Sequence, residues 1–302
     1  MLTNVQKNHV AAKLEDLKKS FGGVNKLGTK AGVSGGTISN IINGKYDNIS
    51  EKLWSQIIDN FGIRFDGWQV AETTNFRRMR DSINYARAMR WMIAVSHRAG
   101  SGKTATIRTY AELDTTGGVF VVEAKEWARR EFLLNMCQQL GIDPGKGYQT
   151  IHVLGEKIIR FFAQRQAVKP VLIIDEADKL KPSALRFLIP FYNELEDKCS
   201  IVIAGTDNLE KEIKRGVNYN KKGYDELDSR LGRQFIHLIG ATMKDIKAVC
   251  ASNGVQDEGL QREIFEEASP VRININGGTV RVVEDMRRVK RLVQREILKK
   301  TS

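Results

Sequence analysis

Five short runs of apolar and β-branched residues alternate with longer helical patterns between residues 92 and 240. The runs are MIAVS (92–96), GVFVVEA (118–124), VLIID (171–175), IVIAG (201–205) and FIHLI (235–239). Buried parallel strands have this uninterrupted apolar character, and their alternation with helices indicates βαβ units. We therefore predict an α/β fold built on a parallel sheet in this part of the chain.

The segments on either side of this region have helical periodicity. Before it, apolar residues recur at helical spacing in stretches that glycines separate, so we predict a small all-α unit of four helices that ends near Gly62. After residue 241 we expect the strands to stop and helices to cover 242–251, 258–268 and 279–300. The resulting division is a helical unit at 1–65, a basic linker helix at 66–91, a core at 92–240 and a terminal helical unit at 241–302.

The amino-acid composition indicates which kind of partner and which cellular location to expect. The 302 residues include 48 Lys and Arg against 36 Asp and Glu, and the resulting net charge of +12 favours a polyanionic partner, most simply nucleic acid. The apolar runs are shorter than the ~18 residues of a membrane helix, and the N-terminus lacks the hydrophobic stretch of a signal peptide. The 3 cysteines are too few and too far apart for a disulfide framework. We expect a cytoplasmic protein without membrane contact.

A glycine-bearing loop joins the first predicted strand to a helix in the run AVSHRAGSGKTATIRTY (94–110). Glycines let backbone N–H groups turn around an anion, and the N-terminus of a helix adds partial positive charge. We predict that Lys103 reaches the β- and γ-phosphates of ATP and that Thr104 is a ligand of Mg²⁺. The pattern GxxxxGK[ST] has glycine where this chain has His97, and a glycine-rich turn with a chance lysine is the alternative. The predicted nucleotide-binding residues are Gly100, Ser101, Gly102, Lys103, Thr104 and Ala105.

Two adjacent carboxylates follow the third predicted strand in the run VLIIDEADKL (171–180). Ligands of open α/β sheets bind at the carboxyl ends of the strands. We therefore predict that Asp175 holds Mg²⁺, largely through water, and that Glu176 orients and deprotonates the attacking water. A helix N-cap is the alternative interpretation of the acidic pair. The acidic pair occurs in the same chain as Lys103 and Thr104, and this combination favours the catalytic interpretation.

The loop and the acidic pair resemble the Walker A and Walker B motifs of AAA+ ATPases. The resemblance extends to the transposition ATPases typified by phage Mu transposition protein B, with a helix-turn-helix added at the N-terminus. It implies a P-loop core with a C-terminal helical lid, and hydrolysis of ATP with Mg²⁺. It also implies assembly of this chain into a filament or ring on duplex DNA, and delivery of that DNA to a transposase. The expected setting is a bacterial cell, with a phage or mobile element as the source of the gene.

Three further positions match the pattern of that family. Thr206, after the fourth strand, resembles sensor 1, although a simple turn is the alternative. Arg230 in DSRLGRQF resembles an arginine finger, with Arg233 as the other candidate. Gly278 and Arg281 in GGTVRVVEDM resemble the G-x-x-R of sensor 2, so the resemblance implies that Arg281 reaches the nucleotide from the lid.

The run VNKLGTKAGVSGGTISNIING (24–44) resembles the helix-turn-helix of phage repressors. Gly35 and Gly36 lie where such proteins often carry base-reading side chains, which favours contacts with the DNA backbone and weakly selective duplex binding. A protein-contact role is the alternative. The predicted DNA-binding residues are Thr37, Ser39, Asn40 and Lys45 here, and Lys125, Arg129, Lys214 and Lys221 on loops of the sheet.

Two other functions remain open on the sequence alone. One is a replication initiator or helicase loader from the same class of ATPase. The other is a non-catalytic DNA-binding regulator that uses nucleotide only as a switch. Glu176 and Arg230 argue against the regulator, because neither residue is needed for binding alone.

Overall fold

The computed structural model describes residues 2, 4–61, 63, 68–275 and 278–301. The predicted boundary between residues 65 and 66 and the predicted end near Gly62 lie outside these residues. Among the helices of the described residues, none combines the length and the apolar character needed to cross a bilayer.

Residues 4–61 form the predicted group of helices, packed around one small apolar core. Helix α2 ends at Gly32, whose φ of 68° is left-handed, and α3 begins after Ser34, whose hydroxyl accepts a hydrogen bond from the Thr37 amide. Ile38, Ile41 and Trp54 are buried in the core. The helices are α1 (Asn4–Phe21), α2 (Val24–Ala31), α3 (Gly35–Ile42) and α4 (Glu51–Phe61).

A longer helix, α5 (Thr74–Met89), leads from this group into the sheet. The Arg87 side chain of this helix donates to the Lys169 carbonyl at 2.7 Å and to the Val168 carbonyl at 2.9 Å. It also forms an ion pair with Asp114 at 2.9 Å. Arg87, a residue of the predicted basic linker helix, therefore attaches α5 to the edge of the core.

The core is a five-stranded parallel sheet in the order β2-β3-β4-β1-β5, as the α/β prediction required. Leu172 and Ile174 of β3 face one apolar cluster, and Ile173 faces the other, so helices cover both faces. The strands are β1 (Met92–Ser96), β2 (Val119–Glu123), β3 (Val171–Asp175), β4 (Ser200–Gly205) and β5 (Phe235–Ile236). The helices are α6 (Lys103–Glu112), α7 (Arg129–Gln139), α8 (Ile151–Ala163), α9 (Pro182–Leu185), α10 (Leu188–Leu195), α11 (Asp207–Asn218) and α12 (Tyr224–Arg230).

The expectation that strands stop after residue 241 is wrong. A second, antiparallel sheet has the order β6-β8-β7, and its strand β8 occupies the first part of the helix predicted at 279–300. The final helix therefore starts only at Met286. The elements are β6 (Ala241–Thr242), α13 (Met243–Ser252), α14 (Glu258–Glu267), β7 (Val271–Ile275), β8 (Gly278–Val283) and α15 (Met286–Thr301).

Candidate functional site

A cleft of about 540 Å³ lies at the carboxyl ends of β1, β3 and β4. The loop after β1 forms one wall, where Gly100 and Gly102 have left-handed φ angles of 85° and 91°. Lys103 is the first residue of α6, and its ammonium group donates to the carbonyls of His97 at 2.6 Å and Arg98 at 3.0 Å. The predicted nucleotide-binding residues from Gly100 to Ala105 all line the cleft.

Lys103 is buried, with 8% of its surface exposed. Burial lowers the pKa of its ammonium group, and the nearby carboxylates of Asp175 and Asp178 oppose that shift. A lysine in such a position is stabilised as a cation by additional negative charge. Phosphate oxygens have the chemistry that this position favours.

Asp175 ends β3 with 3% of its surface exposed. Burial raises the pKa of its carboxyl group, while a hydrogen bond with the Thr104 side chain and another from the Glu176 amide at 2.9 Å lower it. A buried carboxylate beside a hydroxyl offers the oxygen ligands that Mg²⁺ prefers. The two side chains predicted to hold the metal thus lie together in the cleft.

Glu176 also lines the cleft and has an uncommon backbone conformation, with φ of 55°. Its carboxylate forms an ion pair with Lys179, three residues further along a short 3₁₀ turn. This pair raises the pKa of Lys179, chiefly through the hydrogen bond to Glu176.

Thr206 lies at the rim of the cleft, at the end of β4. Its amide and hydroxyl both donate to the Asp178 carboxylate, at 3.1 and 2.6 Å, and its hydroxyl accepts from the Asn208 amide at 3.3 Å. Thr206 is therefore the N-cap of α11, and it lines the same cleft as Glu176.

The start of α15 closes the cleft from the C-terminal side. The Met286 amide donates to the Gly100 carbonyl at 2.9 Å, and Arg98 forms an ion pair with Glu284 at 2.7 Å. Arg287 and Lys290 of this helix line the cleft. Sequence reasoning missed both, although Asp285 before an amphipathic stretch is an N-cap signal for a helix starting at this point.

Arg281, predicted to reach the nucleotide from a helix, is instead on β8. Its guanidinium forms two hydrogen bonds to the Glu266 carboxylate, at 2.8 and 2.6 Å, on an exposed surface. Because β8 precedes α15, the side chain emerges from the hairpin rather than from the helix that borders the cleft. The predicted position of Arg281 is wrong.

His97 stands at the position where the phosphate-loop pattern has glycine. Its φ is not left-handed, so a side chain is compatible with the backbone there. Burial lowers the pKa of the imidazole, and the charge of Lys103 lowers it further. The cleft is lined from Ala99 onward, and His97 contributes its carbonyl to Lys103.

The candidate finger residues lie away from this cleft. Arg230 donates to Asn193 at 2.8 Å and borders a separate cavity of about 680 Å³ together with Trp91 and Tyr192. Arg233 forms an ion pair with Asp225 at 2.8 Å. Within one chain, neither arginine reaches the predicted phosphate site.

The predicted DNA-binding residues of the helical unit lie on and just after α3. Asn40 and Lys45 are exposed, whereas Thr37 and Ser39 are partly buried. The Thr37 hydroxyl lies 2.9 Å from that of Ser34, and the Ser39 carbonyl accepts from Asn43 at 2.8 Å. Two of the four side chains are thus freely presented to solvent.

The predicted residues on the sheet loops differ among themselves. Lys125, Arg129 and Lys221 are exposed. Lys214 instead donates to both carboxylate oxygens of buried Asp228 at 3.0 Å. Its charge is neutralised within the fold, so it is the least suited of the four to bind a phosphate.

The fold and the cleft define a class of protein, a P-loop ATPase with a parallel α/β core. Residues 90–213 match the family model described as an AAA domain. No curated protein sequence matches the chain.

Similar solved structures include Cdc6p from Pyrobaculum aerophilum, with 15% identity over 64% of this chain and a TM-score of 0.44. The RuvB Holliday junction branch migration motor of Thermotoga maritima has 14% identity over 81% of this chain and a TM-score of 0.44. The ORC2 protein of Aeropyrum pernix has 11% identity over 77% and a TM-score of 0.41. The chain spans 59%, 65% and 69% of these structures, respectively.

Proposed function

We propose that this protein is an ATP-dependent DNA-binding ATPase that assembles on duplex DNA and delivers it to a transposase. The observation that carries the ATPase part is the shared cleft of Lys103, Asp175 and Glu176 at the carboxyl ends of β1 and β3, which lie on either side of β4. The transposition part rests on the resemblance of the motifs described above. The proposed division is DNA binding by residues 1–65, a linker helix at 66–91, ATP hydrolysis by 92–240 and a lid at 241–302.

In this mechanism the loop amides of Gly100–Thr104 bind the phosphates, and Lys103 neutralises charge on the β- and γ-phosphates. Thr104 and Asp175 would hold Mg²⁺, which when bound would neutralise negative charge on the phosphates. Glu176 accepts a proton from the attacking water. Arg287 and Lys290 add positive charge from the lid, so lid position and nucleotide binding are coupled.

The DNA-binding part is supported by a group of basic side chains on the core. Arg129 stacks over Phe187 at 5.5 Å, and the guanidinium of Arg186 on the same segment donates to the Lys222 carbonyl at 3.0 Å. Arg186 thereby connects the loop after β2 to the loop after α11. We call this group the basic strip, made of Lys125, Arg129, Arg130, Arg186, Lys221 and Lys222. Contacts of such a strip with phosphates are independent of base sequence and weaken with salt.

The Glu176→Gln variant tests the catalytic assignment. We expect it to bind ATP with wild-type affinity and to hydrolyse it at least about a hundredfold more slowly, because the amide cannot accept the proton from water. It should also form longer-lived DNA complexes in gel-shift and dissociation assays.

Lys103→Ala is the matched control, since it removes the phosphate contact and should lose ATP affinity itself in calorimetry. If Glu176→Gln turns over ATP at the wild-type rate, Glu176 is not the base. If the wild-type protein binds ATP but does not hydrolyse it with or without DNA, it is a nucleotide-switched binder instead.

A further inference from the structure

Two exposed tyrosines lie beside the basic strip. Tyr148 is in the loop between α7 and α8 with 76% of its surface exposed, and Tyr219 directly follows α11 with 69% exposed. Tyrosine combines a large apolar ring with a polar tip, so a ring that remains in water is available to a ligand.

An arginine of the basic strip covers one face of the Tyr148 ring. The Arg130 guanidinium lies 4.2 Å from the ring centroid, and its Nε donates to the Gln149 carbonyl at 3.0 Å. The side-chain amide of Gln149 in turn donates to the Lys146 carbonyl at 2.7 Å, which ties together the loop that carries the tyrosine. Because most of Tyr148 stays exposed, the other face of its ring is open to solvent.

Tyr219 has a similar arrangement on the second loop. Its amide donates to the Arg215 carbonyl at 3.0 Å and caps the C-terminus of α11, and the Arg215 guanidinium lies 5.8 Å from the ring centroid. Lys221 and Lys222 of the basic strip follow two and three residues later. Both loops therefore combine an exposed aromatic ring with cations.

This combination fits DNA that has unpaired bases. In a duplex the bases stack on one another, so a protein reaches their edges and the phosphates but not their faces. In an unpaired strand the face of each base is accessible, and an aromatic side chain can stack on it whatever the base. Basic side chains alone are sufficient to bind the phosphates of a duplex, so the exposed rings are the feature that indicates unpaired bases.

We propose that Tyr148 and Tyr219 are base-stacking residues that bind an unpaired stretch within the duplex on which the protein assembles. The basic strip binds the phosphates, and each tyrosine stacks on one unpaired base through the ring face that is open to solvent. This proposal rests on the proposed DNA binding by the basic strip and specifies the state of the DNA that is bound.

Equilibrium binding to two DNAs of equal length tests the proposal. One is a duplex, and the other is the same duplex with a central bubble of mismatched bases. The full chain with ATP should bind the bubble at least about fivefold more tightly, because stacking of one base on an aromatic side chain contributes about that factor or more. Salt weakens the phosphate contacts of both DNAs, so the ratio of the two affinities should change little when salt is raised.

Three variants separate stacking from other contacts. The double variant Tyr148→Leu with Tyr219→Leu keeps apolar side chains without aromatic faces, so it should bind the duplex normally and lose the preference for the bubble. The double variant Tyr148→Phe with Tyr219→Phe keeps the rings and should keep the preference. Lys146→Gln is the matched control in the same loop, because it removes an exposed charge and should leave the ratio of the two affinities unchanged.

A fluorescent purine analogue at an unpaired position of the bubble reports stacking directly, because its emission is quenched when an aromatic ring stacks on it. The wild-type protein and the phenylalanine variant should quench the emission on binding. The leucine variant should bind with little quenching.

The outcomes are distinct. Equal affinity of the wild-type protein for the two DNAs overturns the stacking and leaves DNA binding by the basic strip intact. A preference that survives in the leucine variant also overturns it, since the bubble would then be bound for its flexibility. Equal losses for duplex and bubble in that variant overturn it too, because the tyrosines would then contact paired DNA. Absence of binding to either DNA by the wild-type protein, with and without ATP, overturns the proposed function as well.

Discussion

Two arginines in the C-terminal segment illustrate how secondary structure decides which side chain reaches a site. Arg281 lies on β8 and is paired with Glu266, whereas Arg287 lies in the first turn of α15 and borders the cleft. The sequence around Arg281 matches a family pattern, but the residue lies on strand β8 and its side chain does not line the cleft. We therefore expect the start of α15, rather than β8, to supply the contact with phosphate.

This difference predicts unequal effects of the same substitution. Arg287→Ala should weaken ATP binding about tenfold or more, because hydrogen bonds to charged groups contribute about 1.5–3 kcal/mol. Arg281→Ala removes a surface ion pair and should change the affinity less than about twofold. Titration calorimetry of both variants measures the difference, and equal losses would contradict the assignment.

At the scale of elements, the apolar runs were sufficient to predict the core. β1 and β3 have the predicted bounds, because every side chain of a central parallel strand faces protein. The helical segment that follows β3 is divided at Arg186 and Phe187 into α9 and α10. Pro190 gives the physical reason, since it has no amide to donate to residue 186 and its ring is incompatible with a continuous helix.

The hairpin of β7 and β8 was missed although its signal is present. The run VRININGGTVRVV (271–283) alternates in polarity and contains an Asn-Gly pair, which favours a tight hairpin turn. Apolar residues beyond the hairpin recur at helical spacing, and this pattern led to the prediction of a helix over 279–300. The hydrogen bonds from Thr206 to Asp178 depend on tertiary approach of two separate segments, so sequence spacing alone could not predict them.

Contact between the phosphate loop and the lid gives a prediction for Gly100→Ala. A Cβ at this position would lie 2.5 Å from Asp285 Oδ1, in addition to the strain of a φ of 85°. Gly117→Ala is a matched control, because its φ of 66° imposes a similar strain but no atom lies within 4 Å. Both should lose about 1–2 kcal/mol of stability from backbone strain. Gly100→Ala should lose more stability than Gly117→Ala in urea unfolding. It should also lose affinity for ATP in binding assays.

The attachment of α5 to the core predicts a pH-dependent stability difference. Burial alone would raise the pKa of Asp114, but hydrogen bonds from Arg87, Thr116 and the Gly118 amide outweigh it and place the pKa below its usual value. The ionised carboxylate therefore stabilises the folded state fully above the unfolded-chain pKa, and this contribution is lost as pH falls through the folded-state pKa. Asp114→Asn should cost about 1–3 kcal/mol at pH 7. The difference in the free energy of unfolding between the wild-type protein and this variant, measured in urea, should shrink as the pH falls towards 3. A difference that is independent of pH would contradict the argument.

At the scale of the whole molecule, the nucleotide cleft and Arg230 occupy separate surfaces. The cleft lies at the carboxyl ends of β1, β3 and β4, whereas Arg230 borders the cavity formed with Tyr85, Trp91 and Tyr192. Tyr85 and Trp91 are 66% and 53% exposed, which leaves an apolar wall around the arginine. Large exposed apolar side chains that cluster together are typical of contact surfaces. An arginine in this position can act on a nucleotide only if a neighbouring copy supplies it.

Mixing two inactive variants tests that arrangement. Arg230→Ala keeps a complete cleft and lacks the finger, whereas Glu176→Gln lacks the base and keeps the finger. In a head-to-tail assembly of equal amounts, half of the clefts have Glu176 and half of those face a neighbour with Arg230, so about a quarter of the wild-type rate should return. Each variant alone should remain inactive in the same ATPase assay with duplex DNA. If the mixture is no more active than the sum of the two separate variants, Arg230 does not act across a subunit boundary. The same mixing experiment would then be done with Arg233→Ala and Glu176→Gln.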